Sequence, residues 1–194
     1  MSKRPIFLAA SVPERDLHLY VTDPIAIREA IRALVAETVR ERLLVFGGHP
    51  AISPLVEHAA GSLNAVDNVR IYQSEFFRKV VPPVAQKFKN LVWTPEVPSD
   101  RDASLTLMRT QMITSEPFEV GVFIGGMDGL DEEWQLFTRH HPNAPAFPVA
   151  STEGAARLIW NPWTPPAALN LPANVKDRLA QDLDYRLLFR DLLG

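Results

Sequence analysis

The chain has 194 residues, 46% hydrophobic and 22% charged, which suits one sizeable core and argues against extended disorder. A formal net charge of −3, with both signs mixed and no basic block, argues against a nucleic-acid partner. With no cysteine there is no disulfide, thiolate nucleophile or thiolate metal ligand, and neither a signal peptide nor a membrane span is legible, so a cytoplasmic protein is expected.

The apolar run over residues 5–10 reads as a first strand buried on both faces. Asp23 and Pro24 open a helix as N-cap and first helical residue, and Ile27, Ile31, Leu34, Val35 and Val39 repeat at helical spacing. Residues 42–46 form a second strand that runs into Gly47 and Gly48. A helix follows over 53–63, with Ser53 as its cap, and then a strand over 68–73. Residues 74–89 are predicted helical, kinked or interrupted at Pro82 and Pro83. Strand 91–94 and helix 102–114 lead to strand 119–124, which also ends in glycines. Helix 128–140, strand 146–150 and helix 153–160 complete this part, and Ser151, Thr152 and Glu153 either touch a ligand or, on the better reading, cap that last helix.

Residues 161–172 carry four prolines and read as a loop or arm, and 173–193 as one terminal helix. Val175, Leu179, Leu183, Leu187 and Leu188 would make one apolar face on it, to be covered by the domain or by a partner subunit. The expected organisation is a binding domain over 1–160, the arm over 161–172 and the terminal helix over 173–194. The expected fold class is α/β: a Rossmann-like, doubly wound sheet of about six mainly parallel strands, with helices on both faces and a C-terminal helix. The terminal stripe also predicts a homodimer or higher oligomer.

Ligands of such sheets bind beyond the carboxyl ends of the strands, where the glycines fall. Gly47, Gly48 and His49 stand between a strand and a helix start. There the backbone approaches a ligand closely and amides favour an anion such as phosphate; alternatively the glycines serve only a tight turn. The second loop runs Gly125, Gly126, Met127, Asp128, Gly129, and its helix carries Asp131, Glu132 and Glu133, where acids also suit the helix dipole. His49 is either a donor to a phosphate or ribose, or only a helix-start residue. His18, His58, His140 and His141 give no convincing metal spacing, so no metal and no cofactor are expected. Trp160 and Trp163 flank Pro162 and serve either an interface or the packing of the arm.

The run from Met108 and Arg109 through Phe123, Ile124 and the second glycine loop to Glu133 resembles the SLOG superfamily, nearest to its prokaryotic defence-associated nucleotide sensors. It resembles more distantly the LOG (lysine-decarboxylase-like) phosphoribohydrolases, which have an arginine on the preceding helix and then a PGGxGTxxE loop. Arg109 precedes Gly125 by sixteen residues, the spacing of that pattern. The resemblance implies ligand contacts from Ser11, Gly47, Gly48, His49, Arg109, Gly125, Gly126, Met127, Asp128, Gly129 and Glu133. If the protein is an enzyme, Arg109 and Glu133 would be its catalytic residues. Ile124 in place of the proline, one inserted residue at Met127 and Asp128, Leu130 in place of the threonine, and Thr110 in place of a lysine depart from the enzymes. The implied function is therefore the sensing of an NAD-derived nucleotide such as ADP-ribose, cyclic ADP-ribose or NAD in anti-phage defence, passed on to a separate effector. The alternative is an N-glycosidic hydrolase of nucleoside monophosphates.

Overall fold

The computed structural model describes residues 4–13, 21–167, 169 and 171–194. Glu14 and Arg15 of the first-strand loop, His18, and two positions of the Pro-rich segment lie outside them. Six strands form one sheet: β1 (Arg4–Ser11), β2 (Arg42–Gly47), β3 (Val69–Ser74), β4 (Asn90–Thr94), β5 (Val120–Gly125) and β6 (Ala146–Val149). Their order is β4-β3-β2-β1-β5-β6, and every pairing is parallel. The chain lays strands outward from β1 to β4, then returns to place β5 on the other side of β1. The topological switch point therefore lies between β1 and β5, the place where this architecture opens a crevice.

The two faces of the sheet carry different helices because strand residues alternate. Ile6 and Leu8 pack with α1 (Pro24–Thr38) and α2 (Ser53–Ser62), whereas Phe7 and Ala9 face α3 (Arg101–Ile113) and α4 (Asp128–His140). On the second face Phe7 stacks on Phe137, and Phe123 meets Phe137 edge-on. α1 begins as read from sequence: Asp23 Oδ1 accepts from the amides of Ile25 and Ala26 at 3.1 and 2.9 Å, with Pro24 in the first turn. A short helix, α5 (Gly154–Trp160), follows β6.

Four local expectations are corrected. Residues 74–89 form only 3₁₀ turns at Glu75–Phe77 and Pro83–Lys87. Pro82 and Pro83 supply no amide, and Val80 and Val81 before them are β-branched, so no α-helix propagates there. Ser53 is not the cap of α2 but its first residue, and its Oγ accepts from the His49 amide at 3.2 Å. Ser151 and Thr152 do not cap α5; Thr152 Oγ1 donates to the Val149 carbonyl at 2.6 Å and accepts from the Gly125 amide at 2.8 Å. The terminal helix is two helices, α6 (Val175–Gln181) and α7 (Tyr185–Leu193). The break falls where Asp184 caps α7, its Oδ1 accepting from the Leu187 amide at 3.1 Å.

That break also changes the apolar stripe. Val175, Leu179, Tyr185, Leu188 and Phe189 are buried within this chain, while Leu183 and Leu187 are exposed. α7 lies against α1, with Arg186 Nε paired to Glu37 at 2.7 Å, and Arg42 donates to the Leu193 carbonyl. The stripe that motivated an oligomer is thus largely consumed internally.

Gly125 is the residue on which β5 turns into its loop. Its φ is +61°, and an added Cβ would lie 2.5 Å from Ile27 Cδ1 and 2.9 Å from the Ser11 carbonyl oxygen. Gly125→Ala is expected to cost about 2 kcal/mol or more, from backbone strain and overpacking together. Thermal unfolding should show a Tm lower by about 4 °C or more; an unchanged Tm would contradict this packing.

Candidate functional site

A cavity of about 430 Å³ lies over the carboxyl ends of β1, β2 and β3, between α3 and the start of α4. Its size falls in the roughly 300–1,000 Å³ range of small-molecule sites. Ser11 ends β1, Gly47 ends β2 and is followed by Gly48 and His49, and Met127 caps α4, with Gly129 in its first turn; all line this one space with Arg109 and Glu133. The two glycine loops therefore do share a crevice. Gly125, Gly126 and Asp128 do not line it.

The loop amides are less available than the glycines suggest. The Gly125 amide donates to Thr152 Oγ1, and that of Gly126 to the Ser11 carbonyl at 2.9 Å. The Gly48 amide donates to the Tyr72 carbonyl at 2.8 Å, and that of His49 to Ser53 Oγ. These glycines shape the crevice rather than present a row of donors to it. At the α4 end the lining includes Met127, the N-cap, and Gly129, in the first turn, where helical amides have no acceptor in a preceding turn. His49 Nδ1 accepts from the Ala51 amide at 3.2 Å, which assigns the ring proton to Nε2.

Arg109 is the centre of the site. It extends from α3 across to α4, where its Nη1 donates to Glu132 and its Nε lies 3.6 Å from Glu133 Oε1. A Cβ on Gly129 would sit 2.5 Å from Arg109 Nη2, so the guanidinium packs over the α4 backbone because residue 129 has no side chain. Arg109 and Glu133 are largely enclosed, their side chains 13% and 14% exposed, whereas Glu132 is 54% exposed. Arg109 Nε is buried without a hydrogen-bond partner. Burial pushes the Glu133 carboxyl up to about 7, and the adjacent Arg109 opposes that rise without cancelling it. A carboxyl with this value beside a fixed cation can accept from hydroxyls, or hold or release a proton near neutral pH.

Several lining residues were not singled out from the sequence. Gln73 is the last residue but one of β3, and its side-chain amide lies against Gly48. The rule that pointed to the ends of β2 and β5 also points to it. Phe77, Val80, Val81 and Pro82, in the segment expected to be helical, form an apolar wall, and Arg101 and Leu105 line the α3 side. Of the weaker candidates, His141 Nε2 lies 2.7 Å from the Ile113 carbonyl. Trp160 Nε1 donates to the Lys176 carbonyl at 2.9 Å and Trp163 is buried, so both pack the Pro-rich arm within the chain.

The model of the SLOG cluster3 family matches residues 18–193, and the match runs through the Pro-rich segment and both terminal helices. The fold is similar to the X-ray structure of TM1055, a target of the Northeast Structural Genomics Consortium. The similarity is at 13% identity over 91% of this chain and 88% of that chain, with a TM-score of 0.57. No curated protein matches the chain. No helix among the described residues is long and apolar enough to cross a membrane.

Proposed function

The chain belongs to the SLOG cluster3 family, and from that premise we propose that it binds an NAD-derived or related nucleotide, of the ADP-ribose, cyclic ADP-ribose or NAD type, as a ligand-sensing module in anti-phage defence. The observation that carries the reading is the enclosed Arg109–Glu133 pair facing Gly47, Gly48 and Ser11 across a crevice beyond the carboxyl ends of β1, β2 and β3. A phosphate would take charge-assisted hydrogen bonds from Arg109, aided by the first turn of α4. Glu133, Ser11 and Gln73 would meet ribose hydroxyls, and the wall of Phe77, Val80, Val81 and Pro82 would take a base. Such a sensor passes its signal to a separate effector protein or to a second copy of itself.

The position of Glu133 favours one second reading, an N-glycosidic hydrolase. In it water adds to the anomeric carbon, the bond to the base breaks and the base leaves with a proton. Glu133 would take the proton of the attacking water, while Arg109 held the phosphate. A thermal-shift screen with ADP-ribose, cyclic ADP-ribose, NAD and AMP, followed by chromatography of the bound mixtures, separates the two. The expected result is a raised Tm with no free base after hours. Free base that accumulates with wild type and not with Glu133→Ala would replace sensing with hydrolysis.

A further inference from the structure

Four residues of α3 line the crevice: Arg101, Leu105, Met108 and Arg109. Their spacing, i, i+4, i+7 and i+8, is that of one helix face. The two arginine positions lie about 12 Å apart along the axis, with apolar side chains between them. They differ in depth: the Arg109 side chain is 13% exposed at the inner end, and that of Arg101 is 63% exposed at the mouth.

Helix stability does not account for Arg101. A cation in the first turn of a helix opposes the helix dipole. Its ion pair is with the adjacent Asp102, at 2.9 Å, whose side chain is 87% exposed, and such a surface pair stabilises little. Asp100 is occupied as the cap of α3, accepting from the Ala103 amide at 2.9 Å, and neither Asp100 nor Asp102 lines the crevice. The mouth is thus faced by the arginine and not by its acidic neighbours.

This inference rests on the nucleotide reading of the crevice. We propose that Arg101 is a specificity-determining residue that selects a nucleotide carrying a second phosphate remote from the one held at Arg109. Its ligand class is a nucleoside bisphosphate, or a dinucleotide phosphorylated on a ribose 2′ or 3′ oxygen. Leu105 and Met108 lie between the two arginines on this helix face, where a base or ribose would rest.

Matched pairs differing only in that phosphate test it: AMP against adenosine 2′,5′- and 3′,5′-bisphosphate, and NAD against NADP. Calorimetric affinities are compared on wild type, Arg101→Gln and Arg101→Lys. Wild type should prefer the more phosphorylated member of a pair by about tenfold, and the preference should shrink as salt rises. The ratio should fall to near one in Arg101→Gln and be partly kept in Arg101→Lys. Equal affinities within each pair on wild type, or a preference that survives in Arg101→Gln, would overturn the assignment while leaving the nucleotide reading in place. If no member of either pair binds while ADP-ribose or cyclic ADP-ribose does, the assignment to Arg101 falls and the nucleotide reading stands; if those fail to bind as well, both are wrong.

Discussion

Glu133→Gln is expected to leave stability almost unchanged at pH 4 and to raise it by about 3 kcal/mol at pH 8. Glu133 ionises near pH 7 in the folded protein, against 4.5 for an ordinary glutamate, because burial disfavours its charge more than Arg109 favours it. Between these values the unfolded chain releases a proton that the folded chain retains. Wild-type stability therefore falls as pH rises from about 4.5 through 7, and the loss is complete above that. Glutamine resembles the protonated carboxyl in shape and has no proton to lose, so the variant lacks this slope. Denaturant unfolding across pH 4–8 measures the difference, which at pH 8 should appear as roughly 6–12 °C in Tm. A stability difference of the same size at every pH would mean that burial is not what sets the ionisation of Glu133.

The same substitution bears on function. An ionised carboxylate enclosed at a cost to folding is a feature that folding alone does not require, and its cation sits 3.6 Å away on the opposite helix. Glu133→Gln should therefore be the more stable protein at neutral pH and the poorer partner for ribose hydroxyls.

Much of this was legible before the structure, for identifiable reasons. The run from Ile6 to Ala9 has no polar break, so a doubly covered strand was the consistent reading, and the pairing of Asp23 with Pro24 marks a helix start at a definite residue. Arg109, Gly129 and Glu133 follow from the resemblance to the SLOG superfamily, and the structure brings them together. What was not legible depends on partners distant in sequence. That Gly125 donates to Thr152, and Gly126 to the Ser11 carbonyl, is a fact of tertiary contact, so glycines read as phosphate donors are occupied inside the loop. Leu183 and Leu187 keep the helical period across the terminal segment, so the sequence predicts one continuous helix there. The capping by Asp184 competed with that period and divided it, leaving both leucines exposed. The segment from Phe77 to Pro82 is predicted as a kinked helix, but consecutive prolines after two valines favour extended and 3₁₀ backbone.

Arg109→Ala carries the second large effect. If the guanidinium holds a phosphate, its loss removes charge-assisted hydrogen bonds of about 1.5–3 kcal/mol, a ~10- to 150-fold fall in affinity. The loss also leaves Glu133 lining the crevice without its cation, which adds to the effect where it is ionised. Glu133→Ala should cost less binding, since it removes only contacts to neutral hydroxyls. Arg109→Lys should recover part of the affinity, as a charge without the planar fork. The Arg109→Ala chain is expected to fold, because Glu133 can take up a proton when its partner is gone.

The most direct measurement is a calorimetric titration of ADP-ribose into wild type and into folded Arg109→Ala at the same pH and salt. The crevice as a nucleotide site predicts saturable binding to wild type and at least about tenfold weaker binding to the variant. Equal binding to both proteins, or no binding to wild type by ADP-ribose, cyclic ADP-ribose, NAD or AMP, would contradict it.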